Sequence, residues 1–251
     1  MSFMPNGDNA TILTGQLYGR LLNETRASSL GLTKTFTYEP TTDETELRNN
    51  NTGTDVLVKR RTTTVGANVS LVLDEMTARN LAMKLLAEAV DLTQAAETGM
   101  IISEADIVAG QITKLGGKKV TNVSLQDEGA NDLVVGVDYR IDAATGYITW
   151  LKAFVSVSGT YDRSEISSID GMTTMDLMEK VQGTEIVLTC IPTNDGPRAL
   201  VEEVLVTLRP SGAMNFISQD SEFQAIELEG QAQYNFDRPD APFGTVTHYS
   251  S

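Results

Sequence analysis

The chain reads as a mainly β protein, a sandwich or barrel flanked by one α-helix and carrying a small β insertion. Three stretches predict it. In residues 60–73, Thr63, Val65, Ala67, Val69, Leu71 and Leu73 point one way, and Thr62, Thr64, Gly66, Asn68 and Ser70 the other. Residues 78–89 then change to helical spacing, and residues 223–235 return to alternation. A repeat of two belongs to strands and one of 3.6 to helices, so the chain is strand, lid, then more strand.

Taken in order, residues 1–10 form a polar arm expected to order only against something else. Residues 12–21 keep Leu13, Gly15, Leu17, Gly19 and Leu21 in register as a strand whose glycines permit close approach of a neighbouring backbone. Residues 33–39 alternate through Phe36 and Tyr38 and end at Pro40. Residues 41–54 hold Asp43, Glu44, Glu46, Arg48 and Asn50, with Leu47 as the one large apolar side chain and no tight-turn chemistry. Loops this long are usually functional or disordered, so the segment reads either as a surface loop or as an extended arm ordered on a neighbouring subunit.

After the strand at 60–73, Asp74 or Thr77 is expected to cap the helix, with Leu81, Ala82, Leu85 and Ala89 on its apolar stripe and Met83, Leu86 and Val90 widening it. Residues 97–99 read as the end of the helical region. Residues 99–163 read as an inserted β meander with strands at 120–125, 133–139 and 147–161, the last slipping phase near Leu151. Its turns at residues 127–129 and 142–146 carry Asp and Gly. Residues 172–179 fit a short helix or a strand.

Residues 184–191 and 200–208 form a hairpin about the turn at 194–197. In residues 223–235, Ile226, Leu228, Ala232 and Tyr234 share one face, while Glu227, Glu229, Gln231 and Gln233 line the other; Phe223 and Ala225 fall out of phase, which predicts a bulge near Ala225. Two strands with one apolar and one hydrophilic face describe a curved sheet with core behind and water in front.

Composition narrows function mostly by exclusion. A net charge of -15 over 251 residues disfavours tight, sequence-independent binding of nucleic acid, which needs Lys and Arg against phosphates. Cys190, the only cysteine, sits in an apolar run and leaves no intrachain disulfide. The first residues lack a basic and an apolar signal region, and no stretch approaches the ~20 apolar residues of a membrane span, so synthesis in a cytoplasm without membrane insertion is expected. His248, the only histidine, has no nucleophile in an obvious elbow. Lys118 and Lys119 lack phosphate-loop spacing, and the acidic turn of Asp127, Glu128, Asn131 and Asp132 lacks the ligand alternation of a calcium loop. No catalytic, cofactor or metal residue is therefore assigned.

The order of elements resembles the tail tube (major tail) proteins of long, non-contractile-tailed bacteriophages. The resemblance rests on the glycine-spaced first strand Gly15-Gln16-Leu17-Tyr18-Gly19, an early β pair, a polar loop, and a strand followed by residues 75–86. It also rests on residues 136–142 with 146–148, which fit a G-x-DY-x-x-D…G-x-I hairpin, and on residues 218–223 leading into a long strand and Phe243-Gly244-Thr245-Val246. In that family β-sandwich or barrel domains with a flanking helix form hexameric rings that stack into a tube, the conduit for DNA and the tape-measure protein. The resemblance implies a non-enzymatic virion protein made in the host cytoplasm, whose partners are itself, the tape-measure protein and the tail-end or tail-terminator proteins. Under it, Thr62, Thr64, Asn68, Ser70, Glu227, Glu229, Gln231 and Gln233 are lumen candidates past which DNA slides unbound. Asp43, Glu44, Glu46, Leu47, Arg48 and Asn50 are candidates for contacts between rings.

The alternative from another class is a β-sandwich adhesion or carbohydrate-binding module. Against it stand an aromatic content of 6% and a single tryptophan, Trp150, because sugar platforms need flat rings.

Overall fold

Both alternating runs become neighbouring strands of one antiparallel sheet. The computed structural model describes residues 14–49, 56–194, 198–217 and 224–249. The chain opens with β1 (Gly15–Leu21), β2 (Ser28–Ser29), β3 (Thr33–Asn49) and β4 (Val56–Leu73), followed by helix α1 (Ala78–Leu85). Then come β5 (Ala89–Asp91), β6 (Glu97–Ile107), β7 (Ile112–Lys114), β8 (Val120–Asp127), β9 (Tyr139–Asp142), β10 (Tyr147–Trp150), β11 (Phe154–Arg163) and β12 (Thr173–Met175). The last elements are β13 (Thr184–Pro192), β14 (Arg198–Pro210), β15 (Ile226–Ala232) and β16 (Thr245–Tyr249). Among the described residues the fold is mainly β with one α-helix.

The chain divides into two compact units, Met1–Ala89 with Met175–Ser251, and Val90–Thr174. In the first, the sheet order is β2-β1-β13-β14-β15-β4-β3, with β16 pairing the N-terminal half of β14. One face of this sheet carries the core: Leu17, Ala67, Val69, Leu71, Leu73, Ile186, Leu188, Val204, Val206, Leu208, Ile226 and Leu228 are buried together. These are the inward positions that alternation selects on β4 and β15.

Helix α1 caps this core over β14 and β15. Thr77 is its N-cap, the hydroxyl accepting the Asn80 N–H at 3.1 Å. The helix stops at Leu85 rather than running to Ala89, because Leu86 takes the left-handed conformation (φ 53°) and its N–H turns back to the carbonyls of Ala82 and Met83. Its buried face also differs from the apolar stripe. Asn80 and Lys84 are buried with Ala82 and Met83. Asn80 Nδ2 donates to the carbonyls of Leu30 (2.8 Å) and Glu75 (3.0 Å). The Lys84 ammonium donates to the carbonyls of Ser211, Gly212 and Glu227. Backbone groups at the helix-covered edge of the core select those polar residues, a requirement that apolar periodicity does not express. Burial pushes the Lys84 ammonium below its ordinary value, against the opposing Glu227 carboxylate.

The expected loop at 41–54 is corrected over most of its length. Strand β3 continues through Pro40 to Asn49, and β4 begins at Val56, so the two make a long hairpin arm. Pairing runs from Thr33↔Leu73 to Asn49↔Val56, with register shifts at Asp43/Glu44 and Leu47/Arg48. An edge strand tolerates a proline, and the Thr- and Val-rich partner favours pairing. Past Gly66 neither face of the arm is covered: Val65 is 60% exposed, as is Leu47. Without a core to face, residues 41–48 show no apolar alternation, which is why they read as a loop.

The second unit contains two three-stranded sheets, β7-β10-β9 and β6-β11-β8. Both feed one core of Ile102, Leu125, Tyr139, Ile148, Trp150, Val157 and Tyr161. Residues 97–99 start a strand, β6, rather than ending a helix. The strand expected at 133–139 is a turn leading into β9: the Asp138 carboxylate accepts the Val134 N–H at 2.8 Å and pairs with Lys152 at 2.7 Å, bending the chain where its valines alternate. The run at 147–161 splits into β10 and β11. Residues 173–175 are strand, pairing with β5.

The acidic turn after β8 is closed by its own backbone. Asp127 Oδ1 accepts the N–H groups of Gly129 and Asn131, each at 2.9 Å, and the Asn131 amide and those N–H groups hold its carboxyl below the usual range. Ala130 in this turn has φ 58°, where a Cβ is strained, and it is exposed. Ala130→Gly is expected to raise the stability of this unit by about 1 kcal/mol, read as a higher denaturant midpoint with unchanged slope.

Candidate functional site

The face of the large sheet opposite the core forms an open polar trough of about 1300 Å³. Strand register builds it row by row, since directly opposed residues of antiparallel neighbours share a face. Glu39 opposes Asn68, Asn68 opposes Gln231, Gln231 opposes Thr207, and Thr207 opposes Glu185. The next row runs Thr37, Ser70, Glu229 and Arg209. Five strands thus contribute two continuous hydrophilic rows, while residues between them on β4 and β14, Val69 and Leu208, are buried on the other side.

Two side-chain hydrogen bonds hold groups in and beside the trough. Gln233 Nε2 donates to Thr207 Oγ1, and Ser211 Oγ donates to Glu229 Oε2 at 3.1 Å. Three carboxylates, Glu39, Glu185 and Glu229, line the trough against two cations, Arg209 and Lys180. Such a lining is well hydrated and weakly acidic, and it presents no cationic cradle to a phosphate.

Of the residues singled out as lumen candidates, Asn68, Ser70, Glu229, Gln231 and Gln233 line this trough. Glu227 is exposed on the same face of β15, one row further along opposite Val72. Thr62 and Thr64 are exposed but lie on the arm, beyond the last β4–β15 pair at Asn68. The trough also holds Thr37, Glu39, Glu185, Thr207 and Arg209, which the two-strand reading missed. The signal for Thr37 and Glu39 was present in their alternation with Phe36 and Tyr38. Arg209 and Glu185 follow from register, which one strand alone does not reveal.

Strand β15 is shorter than residues 223–235. It ends at Ala232, so Tyr234, expected on the core face, is 44% exposed, and its pairings show no bulge. Residue 223 lies outside the described residues.

Of the inter-ring candidates, Asp43, Glu44, Glu46, Leu47 and Arg48 occupy the outer half of β3, and Asn50 lies outside the described residues, as do residues 1–10. The arm carries a ladder of ion pairs: Arg60 meets Glu44 at 3.1 Å and Glu46 at 2.7 Å, and Arg48 meets Glu46 at 2.8 Å. Hydrogen bonds from Arg48 and then Arg60 hold the Glu46 carboxyl below the usual range. The pairs that Glu46 makes are therefore complete above the ordinary carboxylate range and are lost as pH falls through that lowered value.

Chemistry of other kinds has little to build on. Cys190 is half-buried, and burial pushes its thiol up. His248 stands exposed on β16. Among the described residues no three His, Cys, Asp or Glu side chains lie together as metal ligands, and no helix is long and apolar enough to cross a membrane.

A family described as Protein of unknown function UCP028589 matches residues 10–247, which span both units. The chain belongs to that family. No curated protein matches it.

Proposed function

We propose that this protein is a structural virion subunit: hexameric rings of it stack into the tail tube of a long non-contractile-tailed bacteriophage, the conduit for DNA ejection. The observation that supports this reading most is the two-sided sheet with its unpaired edges. One face is core, and the other is a continuous hydrophilic trough. The outer edge of β3 has no partner strand among the described residues, and β1 is covered by β2 only at Tyr18 and Gly19. A long bare edge invites pairing with another chain. Head-to-tail pairing of identical copies around an axis removes both edges and turns the trough inward. The bore is then lined by amides, hydroxyls and carboxylates, past which DNA slides without specific binding. The tape-measure protein would occupy the same bore during assembly, and tail-end and terminator proteins would close the stack. The subunit inserts into no membrane.

Negative-stain electron microscopy of the concentrated protein tests this. Hollow rings or tubes are the expected result; uniformly monomeric particles at every concentration and ionic strength tried would overturn the reading.

A further inference from the structure

The β3–β4 arm carries unlike charge on its two faces, because directly opposed residues share a face. On the side that continues the trough, Asp43 and Glu44 oppose Thr64 and Thr62, and Glu46 opposes Arg60, which pairs with Glu44 and Glu46. On the side that continues the core, Leu47 opposes Lys59, Thr45 opposes Arg61 and Thr42 opposes Val65. No carboxylate stands in that set. Lys59 and Arg61 are exposed and pair with no carboxylate among the described residues. They lie two residues apart on one face of β4, about 7 Å at ~3.3 Å per residue. Strand pairing out to Asn49↔Val56 holds this face in place.

A surface of the opposite character stands elsewhere in the same unit. After β12 the chain turns at Leu177 and Met178, 64% and 71% exposed, with Asp176 before them and Glu179 after. The two ends of such a turn lie within ~7 Å of each other. This turn is fixed at its own apolar residues. The Met178 N–H donates to the Leu85 carbonyl at 3.1 Å, and the Lys180 N–H to the Leu86 carbonyl at 2.7 Å, both where α1 ends. Glu179 Oε2 accepts the Glu88 N–H at 3.2 Å, and neither Asp176 nor Glu179 pairs with a cation among the described residues. Met178 takes φ 62°, a conformation that side chains disfavour, so its exposed thioether is presented at a conformational cost.

Charge and spacing together indicate a second copy as the occupant of the arm's core-side face. Residues 41–66 hold four acidic and four basic side chains, so the net charge of -15 lies wholly outside the arm. The bodies of two copies repel, while Lys59 and Arg61 are drawn to the body of either. Two cations about 7 Å apart beside Leu47 match two carboxylates within ~7 Å about Leu177 and Met178. Every copy carries both halves, and within one copy they form no ion pair.

We infer that Lys59 and Arg61 on the arm of one copy meet Asp176 and Glu179 on the turn of a second, with Leu47 packed against Leu177 and Met178. Two unlike surfaces make the contact heterologous, so each copy both gives and receives an arm. The inference goes beyond the tube reading and uses neither the bore nor the pairing of sheet edges.

The test uses charge reversal in the full chain: Lys59→Glu/Arg61→Glu as the arm variant and Asp176→Lys/Glu179→Lys as the turn variant, with self-association followed by sedimentation and electron microscopy. All four side chains are exposed, and matching thermal melts verify the fold. Each variant alone is expected to associate about a hundredfold more weakly than the wild type, because like charges now face each other. A one-to-one mixture is expected to recover association, since the reversed arm meets the reversed turn and the native arm the native turn. Association of either variant at wild-type concentrations, or a mixture that gains nothing, would overturn the inference; rings persisting in such variants would leave the tube standing. Charge-dependent oligomers without rings would sink the tube and leave this contact. A wild type that stays monomeric at every concentration overturns both. Binding of a labelled DNA duplex by the wild type, lost in the arm variant with self-association unchanged, would make nucleic acid the occupant and overturn the inference too. A second measurement needs no charge reversal: Leu47→Cys with Met178→Cys in a Cys190→Ser background is expected to give disulfide-linked ladders of chains under oxidation, and monomers alone would count against the contact.

Discussion

Trp150→Ala is expected to cost the unit Val90–Thr174 about 3–5 kcal/mol, most of what a domain of this size possesses. Trp150 is fully buried at the junction of that unit's two sheets. Its ring lies 6.1 Å from Tyr139 and 6.0 Å from Phe154, and its indole N–H donates to Thr113 Oγ1 at 2.9 Å. Removal leaves a cavity lined by aromatics and an unmatched hydroxyl. The core of the other unit, centred on Leu188 and Val206, contains no residue of this one. Calorimetry is therefore expected to resolve two transitions in the wild type and to show only one of them displaced in the variant. A single transition that moves as a whole would contradict two separate cores.

Gly230→Ala is expected to destabilise the trough-bearing unit by about 3 kcal/mol. Gly230 lies in the middle of β15, opposite Leu208 on one side and Val69 on the other. A Cβ there would meet the Thr207 carbonyl oxygen at 2.1 Å and its carbon at 2.9 Å. Those atoms are backbone and cannot rotate aside, so β15 must move off β14, and the rows of the trough lose their register. Gly66→Ala is the control. Its Cβ would meet only Thr41 Oγ1, at 3.4 Å, and its effect is expected to stay within ~0.5 kcal/mol. Paired denaturant midpoints check both; equal shifts would remove steric crowding as the cause.

Where one face was covered and the other wet, the sequence was legible. Ala67, Val69, Leu71 and Leu73 on β4, and Ile226 and Leu228 on β15, are buried as their alternation predicts. The same period located Asn68, Ser70, Glu229 and Gln231 on the opposite face. Legibility failed where pairing is held by something other than apolar burial. The arm is held by backbone bonds and exposed charge pairs such as Arg60–Glu46, so residues 43–48 carried no periodic signal. It failed again where a single side chain bends the chain, as Asp138 does in front of β9, and where buried backbone carbonyls select a lysine on the core side of a helix. Register between distant strands was also invisible, which is why Arg209 and Glu185 joined the trough only once β13, β14 and β15 were aligned.

The smallest sheet has a consequence for how this chain tolerates change. Strands β5 and β12 pair, and the bonds continue inward from Leu92 N–H to the Met172 carbonyl at 2.8 Å and from Gln94 N–H to the Ile166 carbonyl at 2.9 Å. The segment Val90–Thr174 therefore departs and returns through a single stem. A segment tethered in this way can be lengthened, shortened or exchanged by evolution without pulling the flanking chain ends apart, so its surface is free to diversify while the stem holds the spacing constant.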